Sequence, residues 1–291
     1  RSLSWAVIAR NKRSIAIDLR SDEGRGLALE LAAQSDIVVE NFRVGTLERL
    51  GLGWDVLHAQ NPRTVLVRIS GFGQDGRYAE RAGFGSIGEA MGGLRQLTGE
   101  PDRPPARVGV SLGDMLAGMN GAYGALLALR AREQTGLGQI VDVSLYESVL
   151  AITEALTSEY VATGRVRERT GGILPGIAPS NVYPTSDGAW VLIAANHDGV
   201  FRRLTEAMGD TTLHGDPAFA DHLSRGLRQQ ELDDIVARWT TGLTKSELLQ
   251  TLEAHGVPAG TVYTAADMVT DPQYVARDSL VTVPDPVIGT V

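Results

Sequence analysis

The alternation of short β-branched runs with helical stretches constrains the fold of this chain more than any other feature of its sequence. Residues 14–19, 36–39 and 64–69 carry the β-branched runs, and residues 22–34 and 54–60 between them have helical composition. Parallel strands need crossover connections, so this alternation predicts a parallel sheet covered by helices. Residues 112–133 read as a long helix rich in Ala, Leu and Met, in which Ala117, Gly118, Gly121 and Gly124 would let another backbone approach closely and bury it. A further strand is expected at 139–143 and a further helix at 145–162.

Residues 164–180 hold Gly171, Gly172, Pro175, Gly176 and Pro179 with few apolar anchors, the texture of a linker or mobile loop. Beyond them the pattern changes. Residues 181–183 and 190–194 flank a turn at Ser186-Asp-Gly188 and read as a hairpin, helices are expected at 198–208, 228–239 and 244–255, and a returning strand at 258–262. Thr244 and Glu247 have the spacing of a capping box. The expected class is α/β: a large parallel-sheet domain over 1–165, a linker over 166–180, a smaller α+β domain over 181–268, and a return segment over 269–291 toward the large domain.

With 43% hydrophobic residues in 291, the chain can fill a substantial core. A net charge of -8 argues against nucleic acid as a partner, because phosphate neutralisation needs a basic surface. The absence of cysteine excludes disulfides, thiolate metal sites and a cysteine nucleophile, and it fits a cytoplasmic setting. No apolar run is long enough to span a bilayer. The opening lacks an initiator Met and the end follows strand-like residues, so a fragment of a longer chain is expected.

Two glycine triplets match the dinucleotide fingerprint G-x-G-x-x-G. Gly71, Gly73 and Gly76 follow a predicted strand, but the continuation to Gly83 is too short for the crossover helix whose N-terminus would meet a pyrophosphate. Gly83, Gly85 and Gly88 have no strand before them, and both triplets read as flexible loop. The five histidines show no metal-ligand spacing, and neither a G-x-S-x-G nor a P-loop is present, so no metal and no permanently bound cofactor are expected.

Two clusters remain. Ser111-Leu-Gly-Asp114 opens the long helix, where Ser111 and Asp114 have capping-box spacing and an acidic residue in the first turn is stabilising. The same position keeps a carboxylate ionised and able to attack a carbonyl, with Gly109 and Gly113 leaving room for a bulky acyl thioester. The segment Glu40-Asn-Phe-Arg-Val-Gly45 with Arg49 follows a predicted strand, at the end where ligands gather in open parallel sheets. Its two arginines and its aromatic suit phosphates and a stacked base, although a plain loop with solvated arginines accounts for them equally well.

Taken together, the chain resembles the class III (CaiB/BaiF) coenzyme A transferases. The matching stretches are Asn11-Lys-Arg-Ser-Ile-Ala-Ile-Asp-Leu19, Val39 to Gly45 through Leu50-Gly-Leu52, Ile69-Ser-Gly-Phe-Gly-Gln-Asp-Gly76, Gly113-Asp114, Gly136-Leu-Gly-Gln139 with Val141-Asp142, and Asp187-Gly188. Their order and spacing make the match specific.

The resemblance implies a Rossmann-like large domain with a small domain, in a homodimer whose chains are threaded through each other. It also implies that Asp114 is the nucleophile, that Asn41, Phe42, Arg43, Arg49 and Phe84 line the CoA site, and that Gly171 and Gly172 belong to a loop closing over the intermediate. The related α-methylacyl-CoA racemases use a histidine upstream of the aspartate, where this chain has Phe84, and phenylalanine cannot serve as a base. Transfer is therefore preferred to racemisation or to a non-catalytic CoA-binding subunit. Formyl-CoA transferases carry an acidic residue where this chain has Gly85. By its likeness to dicarboxylate-using members, the chain is expected to move CoA from an acyl-CoA such as succinyl-CoA to a small dicarboxylic acid, through aspartyl anhydride and aspartyl-CoA intermediates.

Overall fold

The computed structural model describes residues 2–285 and 287–290. Its contacts gather into two compact units, one of Ile15–Gly171 and one of Arg1–Ser14 with Gly172–Val291. Among the described residues no helix is long and apolar enough to cross a membrane.

The first unit is built on a three-stranded parallel sheet in the order β1 (Ile37–Glu40), β2 (Val65–Ser70) and β3 (Ile140–Ser144). The register pairs Ile37 with Val65 and Val67 with Val141, placing β2 in the centre. Its Val65, Leu66 and Val67 are fully buried, as a strand covered on both faces requires. On one face Leu66 packs with Leu47, Leu52 and Leu57. On the other, Val65 and Val67 meet Ala125 and Ala128 of the helix Leu112–Thr135.

That long helix shows why small residues were needed. A Cβ added at Gly124 would stand 2.6 Å from Val141 Cγ1, and one at Gly121 would stand 3.3 Å from Val67 Cγ1 and Ile69 Cδ1. The glycines therefore admit the branched side chains of the sheet, where the sequence suggested another backbone, and Gly118 faces open space. Burial is confined to one face. Met115, Met119, Tyr123 and Leu126 on the other are each more than 60% exposed within this chain.

Three expectations change. Residues 14–19 form no strand, since β1 pairs only with β2 and offers them no ladder. Residues 145–162 split into Leu145–Leu150 and Leu156–Thr163. The break holds Glu154 at φ 54 and Thr153, whose hydroxyl donates to Leu150 O, so side-chain and left-handed backbone geometry compete with the helix. Gly85 and Gly88 lie in a helix, Gly85–Met91, rather than a loop. Gly88 and Gly92 serve close packing, since Cβ atoms there would crowd Leu145 and Val149 of the helix Leu145–Leu150.

The second unit pairs β4 (Ser180–Pro184), β5 (Trp190–Ala194) and β6 (Ala259–Thr261) as an antiparallel sheet. Helices Asp198–Ala207, Gln229–Thr240 and Lys245–Ala254 cover it, burying Phe201, Leu204, Leu232, Val236, Leu248 and Leu252. Thr244 and Glu247 form the expected capping box. A buried Arg225 donates to the carbonyls of Ala178, Asn196 and Phe219 and pairs with Asp198 at 2.6 Å. Two further short helices, Ala265–Thr270 and Pro272–Ala276, and a small hairpin of Pro284–Asp285 with Gly289–Thr290 follow in the same unit.

Candidate active site

Asp114 lies in the first turn of the helix Leu112–Thr135, exposed to solvent. The capping box suggested by its spacing does not form: Ser111 makes no side-chain cap bond. Glu89 meets this helix start from a distant segment instead. Its side chain is 1% exposed, and its Oε1 accepts from the Gly113 backbone N–H at 3.5 Å while Arg95 Nε donates to Oε2 at 3.3 Å. The Asp114 carboxylate is left with no hydrogen-bond or ion-pair partner among the described residues, at a helix start whose dipole favours a negative charge.

The carboxylate lies over Gly85. A Cβ there would stand 2.6 Å from Asp114 Cγ and 2.7 Å from Oδ1, and a Cβ on Gly113 would stand 2.9 Å from Gly85 O. Two helix starts, Gly85–Met91 and Leu112–Thr135, thus converge on one carboxylate. Phe84, just ahead of Gly85, is 77% exposed.

The second cluster follows the C-terminal end of β1. Asn41 Nδ2 donates to Ile69 O at 2.7 Å, tying the segment to β2. Glu40 is buried. Its Oε2 accepts from the Phe42 N–H at 2.7 Å and its Oε1 from Arg68 Nε at 2.7 Å, and Arg68 also binds both oxygens of Glu48, at 2.8 and 3.2 Å. Glu48 belongs to the short helix Thr46–Arg49, so one buried arginine sets both the backbone of Phe42 and the helix that carries Arg49. The hydrogen bond from Arg68 holds the Glu48 carboxyl below its ordinary range. Gly45, at φ 78, precedes this helix in the left-handed region, and within the helix Arg49 donates to Thr46 Oγ1 at 2.7 Å. Phe42 and Arg43 are exposed.

Beside this segment lies a cleft of about 490 Å³ lined by Val44, Gln74, Asp75, Arg77, Glu80 and Arg81. Gly76 lines it as well, and the Gly71–Gly73–Gly76 stretch opens no helix, in keeping with the loop reading. Arg81 stacks on Tyr78 at 3.8 Å, and both polar atoms of the Gln74 side chain are buried with no hydrogen-bond partner among the described residues. Gly171, at φ 66, donates its N–H to Gly99 O at 3.0 Å, and a Cβ there would crowd the Glu100 carboxylate, whereas Gly172 belongs to the other unit.

Asp114, Asn41 and Arg49 were singled out from the sequence and Glu40 only as part of their segment, whereas Arg68, Glu89 and Arg95, which shape the surroundings of these residues, were not. Only one sign was available in advance: charged residues set in apolar surroundings, Arg68 within Val65-Leu-Val-Arg-Ile69 and Glu89 on a helix of small and apolar residues.

A helix-covered parallel sheet with an unpaired carboxylate at a helix start and an arginine-bearing loop at the strand ends is a frame for acyl-thioester chemistry. The model of CoA-transferase family III matches residues 1–291, and the chain belongs to that family. It is 54% identical over its whole length to the succinyl-CoA–D-citramalate CoA-transferase of Chloroflexus aurantiacus, of which it spans 72%. It is 35% identical over 268 residues to the succinate–glutarate CoA-transferase of Agrobacterium fabrum, covering 92% of this chain and 67% of that one. Among solved structures, a CaiB/BaiF family protein from Brucella suis superposes with a TM-score of 0.81 at 37% identity, over 94% of this chain and 71% of that one.

Proposed function

We propose that this CoA-transferase moves CoA from succinyl-CoA to a small dicarboxylic acid, with Asp114 as the nucleophile. The observation that carries the reading is the placement of Asp114: exposed, without a competing partner, and at a helix start that favours its ionised form. The substrate class rests on relatives named for succinyl-CoA with D-citramalate and for succinate with glutarate.

In the first half-reaction an Asp114 oxygen attacks the thioester carbonyl, and the C–S bond breaks to give a mixed anhydride and CoA thiolate. The thiolate attacks the aspartyl carbonyl, releasing succinate and leaving an Asp114–CoA thioester. The acceptor carboxylate attacks that thioester and expels the thiolate, which then attacks the acceptor's carbonyl in the new anhydride. The new acyl-CoA departs and the Asp114 carboxylate is restored. No proton is gained or lost overall.

In this reading Asn41, Phe42, Arg43 and Arg49, with Phe84, meet the CoA nucleotide and its arm, and Arg77 and Arg81 offer further positive charge at the neighbouring cleft. Gly171 and Gly172 belong to the loop that closes over the intermediate. The parallel-sheet region is the large catalytic domain and the antiparallel region the small one. A threaded homodimer would cover the exposed stripe of Met115, Met119, Tyr123 and Leu126, which is too apolar for an isolated surface. The site of action is the cytoplasm, where CoA thioesters are at hand.

Hydroxylamine trapping tests the nucleophile. Incubation with succinyl-CoA and hydroxylamine is expected to convert Asp114 to a hydroxamate, read by peptide mass spectrometry, and Asp114→Asn is expected to abolish both label and transfer. An Asp114→Asn variant with normal transfer activity would refute the assignment.

A further inference from the structure

Gly85 has no backbone reason to be glycine. It opens the helix Gly85–Met91 without a left-handed φ, and glycine in a helix costs about 1 kcal/mol against alanine. What requires glycine is the side chain of Asp114, whose carboxylate occupies the space a Cβ would take. One turn further along the same helix, the buried Glu89 holds the N–H of Gly113, the residue next to Asp114, and is itself held by Arg95. Gly85 and Glu89 stand four residues apart, so both face the long helix.

We propose that the helix Gly85–Met91 is a seat that fixes the direction of the Asp114 carboxylate, with Gly85 and Glu89 as its positioning residues. Gly85 acts by leaving room and Glu89 by anchoring the helix start from which Asp114 projects. The inference rests on Asp114 being the nucleophile and specifies what aims it. It also gives a physical meaning to Gly85: a side chain at that position and the present pose of Asp114 exclude each other.

The test is Gly85→Ala in the full-length protein. To pass from 2.6 Å to an ordinary contact beyond 3.4 Å, the Asp114 carboxylate must turn or retreat. A misplacement on the order of 1 Å is expected to lower kcat about a hundredfold, since transfer depends on near-attack geometry. The KM for both substrates should stay within about twofold and thermal stability should not fall, because the clash is with the end of a rotatable side chain. Hydroxamate formation at Asp114 should slow in proportion to kcat.

Glu89 gives a second, independent handle. Glu89→Gln keeps an oxygen able to accept from Gly113 and should retain most of kcat, whereas Glu89→Leu of similar bulk should lose roughly tenfold or more at unchanged KM. Wild-type kcat and labelling in Gly85→Ala, or equal kcat losses in the two Glu89 variants, would overturn the seat while leaving the nucleophile in place. Absence of hydroxamate at Asp114 in the wild type would remove the nucleophile itself, so the two failures are distinct.

Discussion

Replacing Arg68 by methionine isolates the buried ion cluster that shapes the loop after β1. Arg68 and Glu40 keep only 8% and 3% of their side-chain surface exposed, so removing the guanidinium strands a buried carboxylate. Breaking such a pair from one side costs about 3–5 kcal/mol, and at about 2–4 °C per kcal/mol this becomes a fall in Tm of roughly 6–20 °C. The bond to Glu48 adds little, because that side chain is 44% exposed and water replaces the lost partner.

Glu48 nevertheless leaves a pH signature. Its folded pKa is depressed, chiefly by the hydrogen bond from Arg68, so its stabilisation is present above the unfolded pKa and lost as pH falls through the folded value. The wild-type advantage over Arg68→Met should therefore narrow below about pH 4. Calorimetry from neutral to acid pH reads both effects, and steady-state kinetics should show the acyl-CoA KM rising as Phe42 and the Arg49 helix loosen. A loss of less than about 1 kcal/mol at neutral pH, with an unchanged KM, would refute the claim that Arg68 organises this end of the sheet.

Tyr183 offers a second electrostatic test. Its hydroxyl is buried and donates to Asp233 Oδ1 at 2.5 Å, and burial first, then that hydrogen bond, raises its pKa. The associated stabilisation is complete below the unfolded pKa of about 10 and lost as pH rises above it, so Tyr183→Phe should cost about 1–3 kcal/mol at neutral pH and the gap should close in alkali. A gap near zero in urea unfolding at neutral pH would show that the tyrosine contributes packing alone, and a gap that persists in alkali would refute the linkage to its ionisation. If the proposed homodimer buries the exposed stripe, glutamate at both Met119 and Leu126 should leave the full-length protein monomeric in sedimentation velocity; a dimer in that variant would move the interface elsewhere.

The sequence by itself determined the elements whose signals are local. β-branched runs marked β1, β2 and β3, helices expected at 198–208, 228–239 and 244–255 formed in the second unit, and Thr244 with Glu247 made the cap that their spacing predicted. Asp114 and the Asn41–Arg49 segment were also legible as candidates, since their residue types carry the chemistry and they sit at a helix start and just after a strand. Tertiary structure alone decided whether a run found a ladder partner, as residues 14–19 did not, and which glycines were spacers in a helix rather than loop. It likewise decided that Glu89, twenty-four positions away in sequence, accepts from the Gly113 N–H at a helix start where Ser111 forms no side-chain cap. Hydrogen bonds and close approaches of that kind depend on where distant segments meet, and one-dimensional spacing records only neighbours along the chain.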